Sequence, residues 1–180
     1  MNITFITGNE HKAKYVAQWL GGSVPHRTLE LDEIQTLDLH QLVDHKAKQA
    51  YDLLKTPVLI EDAQLTCTSL GNLPGPFIKF FVQEIGPAGI AQMLNSFEDR
   101  TAHGRICYGL YDGKTMHYFE GEMHGSIARE PRGEGGFGFD RIFINDGYTK
   151  TRGEMNEYEY AQTSYRKLAL DKLKEYLATQ

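Results

Sequence analysis

The feature that most constrains the fold is the alternation of short apolar strand-like segments with amphipathic helical segments. Residues 2–6 are apolar and β-branched and stop at a turn, and residues 58–60 form a second apolar run directly after Pro57. Between them, apolar side chains recur at spacings of three and four residues from Leu39 to Leu54, which predicts a helix. Strands that alternate with helices in this way indicate an α/β fold.

The second half of the chain predicts an antiparallel part of the same sheet. Strand-type residues at 105–111 and 116–127 flank Asp112-Gly113, which is a typical hairpin turn. The sheet is therefore predicted to be mixed. Further helices are predicted after Asn9, at 77–85, at 88–94 and at 161–177. The inward residues of the first are Ala13, Val16, Ala17 and Leu20, and those of the last are Leu168, Ala169, Leu173, Tyr176 and Leu177. A strand is predicted at 141–144, and irregular loops at 71–76 and 131–138.

Composition predicts a single globular domain over residues 1–180. The 180 residues carry a net charge of −5, and 41% of them are hydrophobic, so no disulfide or structural metal is needed for a core. The negative charge argues against a nucleic-acid partner, and no apolar run approaches the ~20 residues that span a bilayer. With no signal-peptide pattern, we expect a cytoplasmic protein without a membrane partner.

Cysteine and histidine positions show no metal-ligand spacing. Cys67 and Cys107 are predicted to be buried apolar residues rather than a disulfide, and the seven histidines are scattered. No serine, cysteine or histidine pattern predicts a covalent nucleophile.

The first candidate site is the turn Thr7-Gly8-Asn9, with Lys12 one helical turn further on. A strand that leads through a tight turn into a helix directs backbone N–H groups and the positive end of the helix dipole to one point, which suits a phosphate chain. The alternative is a helix capped by Asn9 with a solvated lysine.

The second candidate is the acidic pair Glu61-Asp62, directly after the strand at 58–60. Ligands of α/β proteins gather beyond the carboxyl ends of strands, and carboxylates there can hold Mg²⁺. Glu30 or Glu33 could supply a third carboxylate. The alternative is an exposed acidic turn.

The third candidate is the glycine-rich stretch from Gly133 to Asp140. It matches G-x-G-x-x-G, but a strand rather than a helix follows, which excludes a dinucleotide-binding fold. Dense glycine beside Phe137, Phe139 and Asp140 allows the backbone to close over a planar ring. The alternative is a flexible hairpin connection.

Taken in order, these segments resemble the inosine triphosphate pyrophosphatase family, which hydrolyses non-standard purine nucleoside triphosphates. The resemblance covers nearly the whole chain. It rests on Phe5-Ile6-Thr7-Gly8-Asn9-x-x-Lys12, Val58-Leu59-Ile60-Glu61-Asp62, Gly71-x-Leu73-Pro74-Gly75-Pro76-Phe77-Ile78-Lys79, Phe137-Gly138-Phe139-Asp140, Thr151-x-x-Glu154-Met155 and Ser164-Tyr165-Arg166.

The resemblance implies two lobes around a long mixed β-sheet with flanking helices, a nucleotide cleft between the lobes, and a homodimer. It implies a role for each matching residue. Phosphates would contact Thr7, Gly8, Asn9, Lys12 and Lys46; the rest of the nucleotide would contact Lys79, Phe137, Gly138, Phe139, Asp140, Tyr160, Tyr165 and Arg166; and the metal would bind Glu33, Glu61 and Asp62.

The reaction implied by the resemblance is attack by water on the α-phosphorus, which gives a nucleoside monophosphate and pyrophosphate. Asp62 would position or deprotonate the water. Mg²⁺, for which Mn²⁺ can substitute, and the lysines would offset the charge that develops on the phosphate oxygens.

The base-binding segment departs from the family pattern. Where the family has Lys-Asn-x-x-Ser-His-Arg, this chain has Tyr160 in place of the Lys and Tyr165 in place of the His, and Arg141 replaces a proline after the aromatic-Asp pair. Lost donors can change selectivity by orders of magnitude. The alternative substrates are therefore other modified or standard nucleoside triphosphates, and a non-catalytic nucleotide-binding protein is a further alternative.

Overall fold

The computed structural model describes residues 3–179, and the predicted strand at 2–6 is found as β1, with Asn2 outside the described residues. The strands and α-helices are β1 (Thr4–Ile6), α1 (Glu10–Leu20), β2 (His26–Arg27), α2 (Leu39–Leu54), β3 (Val58–Cys67), β4 (Pro74–Gly75), α3 (Ile78–Glu84), α4 (Gly86–Met93), β5 (Thr101–Tyr111), β6 (Met116–Ile127), β7 (Phe143–Asn145), α5 (Glu157–Gln162) and α6 (Tyr165–Ala178). Two short 3₁₀ helices lie at Thr68–Leu70 and Arg152–Glu154.

The strands form one mixed sheet, as predicted. Its order is β2-β1-β3-β5-β6-β7, and β4 pairs with β3 outside this path. β1 pairs in parallel with β2 and β3, whereas β3–β4 and β6–β7 are antiparallel. The predicted hairpin is confirmed, because β5 and β6 are joined by a turn in which Asp112 N donates to Thr115 O.

The described chain divides into two compact units. Unit 1 contains residues 3–62, 106–121 and 166–179, and unit 2 contains residues 63–105 and 122–165. Unit 1 holds β1, β2, α1 and α2, with nearly all of α6. Unit 2 holds β4, β7 and helices α3 to α5. No helix within residues 3–179 is long and apolar enough to cross a bilayer.

The core of unit 1 forms where α2 packs on the sheet. Asp38 begins the helix by accepting hydrogen bonds from the backbone N–H groups of His40 and Gln41 at 2.9 and 3.2 Å. The buried residues of this core are Ile6, Leu39, Val43, Ala47, Ala50, Val58, Ile60 and Cys107. Leu53 also belongs to the apolar spacing that predicts this helix, but its side chain is 63% exposed, and the end of α2 packs through Tyr51 and Leu54.

Other predicted bounds also need correction. The strand predicted at 58–60 continues to Cys67, and the strand of residues 105–111 begins at Thr101. The strand predicted at 141–144 is β7, two residues later. The loop at 71–76 includes β4, whose two residues pair with β3. Both cysteines are buried thiols, as predicted.

The single helix predicted at 161–177 is two helices, α5 and α6, separated at Thr163-Ser164. Here the carbonyl and hydroxyl of Thr163 accept hydrogen bonds from Arg152, which fixes a non-helical connection. Ala169 and Leu173 are buried as predicted, but Leu168 is 50% exposed.

Candidate active site

The turn after β1 is rigid because its own side chains bind its backbone. Thr7 Oγ1 accepts from Asn9 N at 3.1 Å, and Asn9 Oδ1 accepts from His11 N and Lys12 N at 2.9 and 3.2 Å. Asn9 is thus the N-cap of α1, and it sets the position of Lys12 in the first turn of that helix. Gly8 lies close to Thr28: a Cβ at this position would meet Thr28 Cγ2 at 3.3 Å.

Glu61 is the centre of a buried set of charges in unit 1. Its side chain is 1% exposed, and Lys12 Nζ lies 3.0 Å from Oε1. Arg166 Nη1 and the Tyr108 hydroxyl, the latter at 2.7 Å, both donate to Oε2. Sequence reasoning missed Tyr108, because an apolar strand context predicts a core aromatic and no local pattern reveals its polar partner.

A second charged group lies beside the first. Lys46 Nζ contacts Asp62 Oδ2 at 2.7 Å and Glu33 Oε1 at 3.2 Å, so two carboxylates converge on one cation. Burial raises the pKa of Asp62 above its usual value, although Lys46 acts in the opposite direction. A raised pKa brings a carboxylate closer to the range in which a general base works well. We call Lys12, Glu33, Lys46, Glu61, Asp62, Tyr108 and Arg166 the carboxylate–lysine cluster.

The ionised form of Glu61 is expected to stabilise the fold. Burial alone raises the pKa of this carboxyl, but Arg166, Lys12 and Tyr108 together lower it to about 2 from a usual value of 4.5. Because the folded pKa is the lower one, the stabilisation is present above about pH 4.5 and is lost as the pH falls towards 2. The difference corresponds to about 3 kcal/mol.

Replacing Glu61 with Gln should therefore flatten the acid side of the stability profile. Measured by urea unfolding in EDTA, the loss of unfolding free energy between pH 5 and pH 3 should be smaller than in wild type by about 2 kcal/mol. Glu10→Gln is the matched control, because the Glu10 side chain is 70% exposed. Equal losses in Glu61→Gln and wild type would show that Glu61 is not ionised in the fold as described.

Unit 2 contains a separate polar group around Asp140. Asp140 Oδ2 accepts from the backbone N–H of Phe137 at 2.9 Å and from the Tyr160 hydroxyl at 2.8 Å, while Oδ1 accepts from Arg152 Nε at 2.8 Å. Gly136 is required here, because a Cβ would lie 2.5 Å from Asp140 Oδ2 and its φ is +73°. Burial and the Asp140 carboxylate raise the pKa of Tyr160 to about 12, so its hydroxyl stays protonated at neutral pH.

Arg152 is the functional candidate that sequence reasoning missed in unit 2. Its side chain is 1% exposed, and its Cζ lies 4.2 Å from the centre of the Tyr160 ring. Nη1 donates to Asn145 Oδ1 at 3.2 Å and to the two oxygens of Thr163. Arginine is ordinarily exposed, and no neighbour of Arg152, the first residue of a short 3₁₀ helix, predicts this burial. We call Asp140, Asn145, Arg152, Tyr160 and Thr163 the Asp140–Arg152 cluster.

The remaining predicted residues of unit 2 are placed as follows. Phe137 precedes Asp140 and is 59% exposed, whereas Phe139 is buried and lies 6.1 Å from the Phe143 ring. Tyr165 is buried at the start of α6. Lys79 is exposed on α3, with its Nζ 5.7 Å from the Phe80 ring. The structure thus groups Phe137, Asp140 and Tyr160, and Lys79 lies on another element.

The sequence profile of the Ham1 family matches residues 3–176. Among characterised relatives, an inosine triphosphate pyrophosphatase of Scheffersomyces stipitis is 39% identical, covering 99% of this chain and 98% of the relative. Inosine triphosphate pyrophosphatase 2 of Trypanosoma cruzi is 40% identical, with coverage of 96% and 90%.

Solved structures show the same fold at lower identity. A HAM1 protein from Coxiella burnetii matches with a TM-score of 0.85 at 24% identity, covering 99% of this chain and 98% of that one. A nucleoside-triphosphatase, or dITP/XTP pyrophosphatase, from Mycobacterium abscessus matches with a TM-score of 0.80 at 24% identity, with coverage of 96% and 98%. The predicted α/β fold with a mixed sheet is therefore confirmed.

Proposed function

This chain belongs to the Ham1 family, and we propose that it hydrolyses non-standard purine nucleoside triphosphates, such as dITP, ITP and XTP, to the monophosphate and pyrophosphate. The relatives named inosine triphosphate pyrophosphatase support this reaction, since they match nearly the full chain. The observation that carries the proposal is the convergence of Glu33 and Asp62 on Lys46, beside the Lys12–Glu61 pair. Such an array of carboxylates and lysines fits a metal-bound triphosphate.

The carboxylate oxygens of Glu33 and Asp62 suit a divalent metal, which we propose to be Mg²⁺. Both already face a single positive charge, and hard oxygen donors are the ligands that Mg²⁺ prefers. The contact with Lys46 favours Glu33 over Glu30 as the ligand, and Glu61 as a further ligand stays a prediction. The metal would neutralise charge on the phosphate oxygens.

The protein groups of the carboxylate–lysine cluster would act in two ways. Lys12, Lys46 and the turn at Thr7–Asn9 would bind phosphate oxygens and keep the chain of phosphates in line for attack. Asp62 would accept the proton of the attacking water as its oxygen approaches the α-phosphorus, with pyrophosphate as the leaving group. Glu61 would hold Lys12 and Arg166 in place.

The base is proposed to bind beside the Asp140–Arg152 cluster. The exposed ring of Phe137 offers a stacking surface, and Asp140 fixes the backbone of that loop. The Tyr160 hydroxyl donates to Asp140, so it does not simply replace a base-reading lysine. This contact is the reason to keep a second candidate within the same reaction, namely a preference for another modified or a standard nucleoside triphosphate, which the substrate profile separates from the first.

The substrate profile tests the proposal. With Mg²⁺, pyrophosphate release should be faster for dITP and XTP than for the four standard dNTPs. Tyr165→Phe should lower the ratio of kcat/KM for dITP over dATP by about tenfold, the value of one hydrogen bond. Tyr158→Phe is the matched control, because Tyr158 is 73% exposed.

Two outcomes would change the proposal. If a standard dNTP is hydrolysed fastest, the proposed reaction is kept, but standard nucleoside triphosphates replace non-standard purines as the proposed substrates. If Tyr165→Phe leaves the ratio unchanged, Tyr165 does not read the base.

A further inference from the structure

A mixed group of metal-ligating side chains lies in unit 1, apart from the proposed Mg²⁺ ligands. It consists of His40 in the first turn of α2, Cys107 on β5 and Glu120 on β6, and one ligand atom from each lies within 4.8 Å of the other two. It is the one such group of three within residues 3–179. Cys107 is fully buried, and the side chains of His40 and Glu120 are partly exposed, although the His40 Nε2 atom itself is buried.

Two neighbours fix the position of the His40 ring. Its Nε2 lies 3.0 Å from Glu120 Oε1, yet this buried nitrogen makes no hydrogen bond of normal geometry within the described residues. The ring is held by stacking on Tyr118, with centroids 4.2 Å apart and planes 7° from parallel. This stacking holds the ring at a place where its Nε2 lies within 4.8 Å of ligand atoms of both Cys107 and Glu120.

The group is separate from the Glu61 contacts. Successive side chains of a strand point to opposite faces of the sheet. Tyr108 contacts Glu61, while its neighbour Cys107 packs with Val43 and Ile60 under α2. Cys107 and Glu61 therefore serve opposite faces. The proposed Mg²⁺ ligands Glu33 and Asp62 contact Lys46, and none of His40, Cys107 and Glu120 takes part in that contact.

We propose that His40 Nε2, Cys107 Sγ and the Glu120 carboxylate bind a thiophilic divalent cation of the Zn²⁺ class. Nitrogen, sulfur and oxygen donors are the set that Zn²⁺ uses, whereas Mg²⁺ and Ca²⁺ take oxygen alone. Three protein ligands leave a fourth tetrahedral position, which a water molecule would fill. Binding converts the thiol to a metal-bound thiolate and releases one proton to solvent, so charge and atoms balance.

Cadmium titration followed by ultraviolet absorption tests the site directly, because a cadmium–thiolate bond has its own charge-transfer band. The chain has two cysteines, and Cys67→Ser is the matched control for Cys107→Ser. The band should appear with one equivalent of Cd²⁺ in wild type and in Cys67→Ser, and be absent in Cys107→Ser. Even outer-shell substitutions weaken metal binding about 10–100-fold, so His40→Ala and Glu120→Gln should weaken it at least as much.

Zn²⁺ should displace Cd²⁺ and remove the band, while Mg²⁺ should leave it unchanged. Circular dichroism of each variant shows whether it is folded, and His40→Ala, whose ring is partly exposed, keeps the test valid if Cys107→Ser fails to fold. Absence of the band in folded wild type would overturn the proposal. The proposal would also be overturned if the band disappeared in Cys67→Ser but not in Cys107→Ser, or if His40→Ala bound Cd²⁺ as tightly as wild type.

Discussion

Asp62→Asn should lower kcat for pyrophosphate release by about 10²–10⁴-fold, the range that a positioned general base contributes. The amide keeps the shape of the side chain and can still contact Lys46, but it cannot accept the proton of the attacking water. Nucleotide binding should persist, because Lys12, Lys46 and the other proposed metal ligand, Glu33, remain. A coupled assay for pyrophosphate with dITP and Mg²⁺ measures the rate, and calorimetric titration measures binding.

Asp52→Asn is the matched control, since Asp52 lies on α2 with a side chain that is 75% exposed and a partner, Lys55, of its own. This control should hydrolyse dITP at the wild-type rate. If Asp62→Asn binds the nucleotide and also hydrolyses it at the wild-type rate, the role assigned to Asp62 is wrong.

Arg152→Ala should lower the free energy of unfolding by about 3–5 kcal/mol, the cost of breaking a buried ion pair by removing one partner. The Asp140 carboxyl would stay buried while losing the guanidinium at 2.8 Å. The substitution also removes the group that fixes Thr163 between α5 and α6. Urea unfolding followed by circular dichroism measures the change.

Arg141→Ala is the control in the same unit, because Arg141 is exposed and its Nε donates to the carbonyl of Gly133. Arg141→Ala should lower the free energy of unfolding by less than about 1 kcal/mol. A double variant, Asp140→Asn with Arg152→Met, removes both charges and should be more stable than Arg152→Met alone. If adding Asp140→Asn to Arg152→Met lowers the free energy of unfolding further, the ion pair is not the source of the effect.

The elements that the sequence predicted well are those that a local pattern determines. The Asp112-Gly113 hairpin and α2 were found at nearly the right residues, because turn chemistry and helical spacing each act over a few residues. The two-residue strands β2 and β4 were missed, since their pairing depends on neighbours distant in the chain. The break between α5 and α6 was missed for the same reason, because Arg152 creates it.

The same difference between local patterns and distant partners applies to the residues of the candidate site. Lys12, Lys46 and the Glu61-Asp62 pair were identified from strand ends and the family resemblance, and the structure brings them into two adjoining ion-pair groups. Tyr108 and Arg152 were not identified, because their partners lie 47 and 12 residues away in the chain. The single domain over 1–180, the homodimer and the cytoplasmic location stay predictions.

Hydrolysis of dITP in ¹⁸O-labelled water tests the central claim most directly, because the label marks the phosphorus that water attacks. With Mg²⁺ and wild-type protein, mass spectrometry should find one ¹⁸O in the nucleoside monophosphate and none in pyrophosphate. Asp62→Asn should give little labelled product in the same time. Label in pyrophosphate, or orthophosphate as the first product, would contradict attack on the α-phosphorus and with it the reaction proposed for this chain.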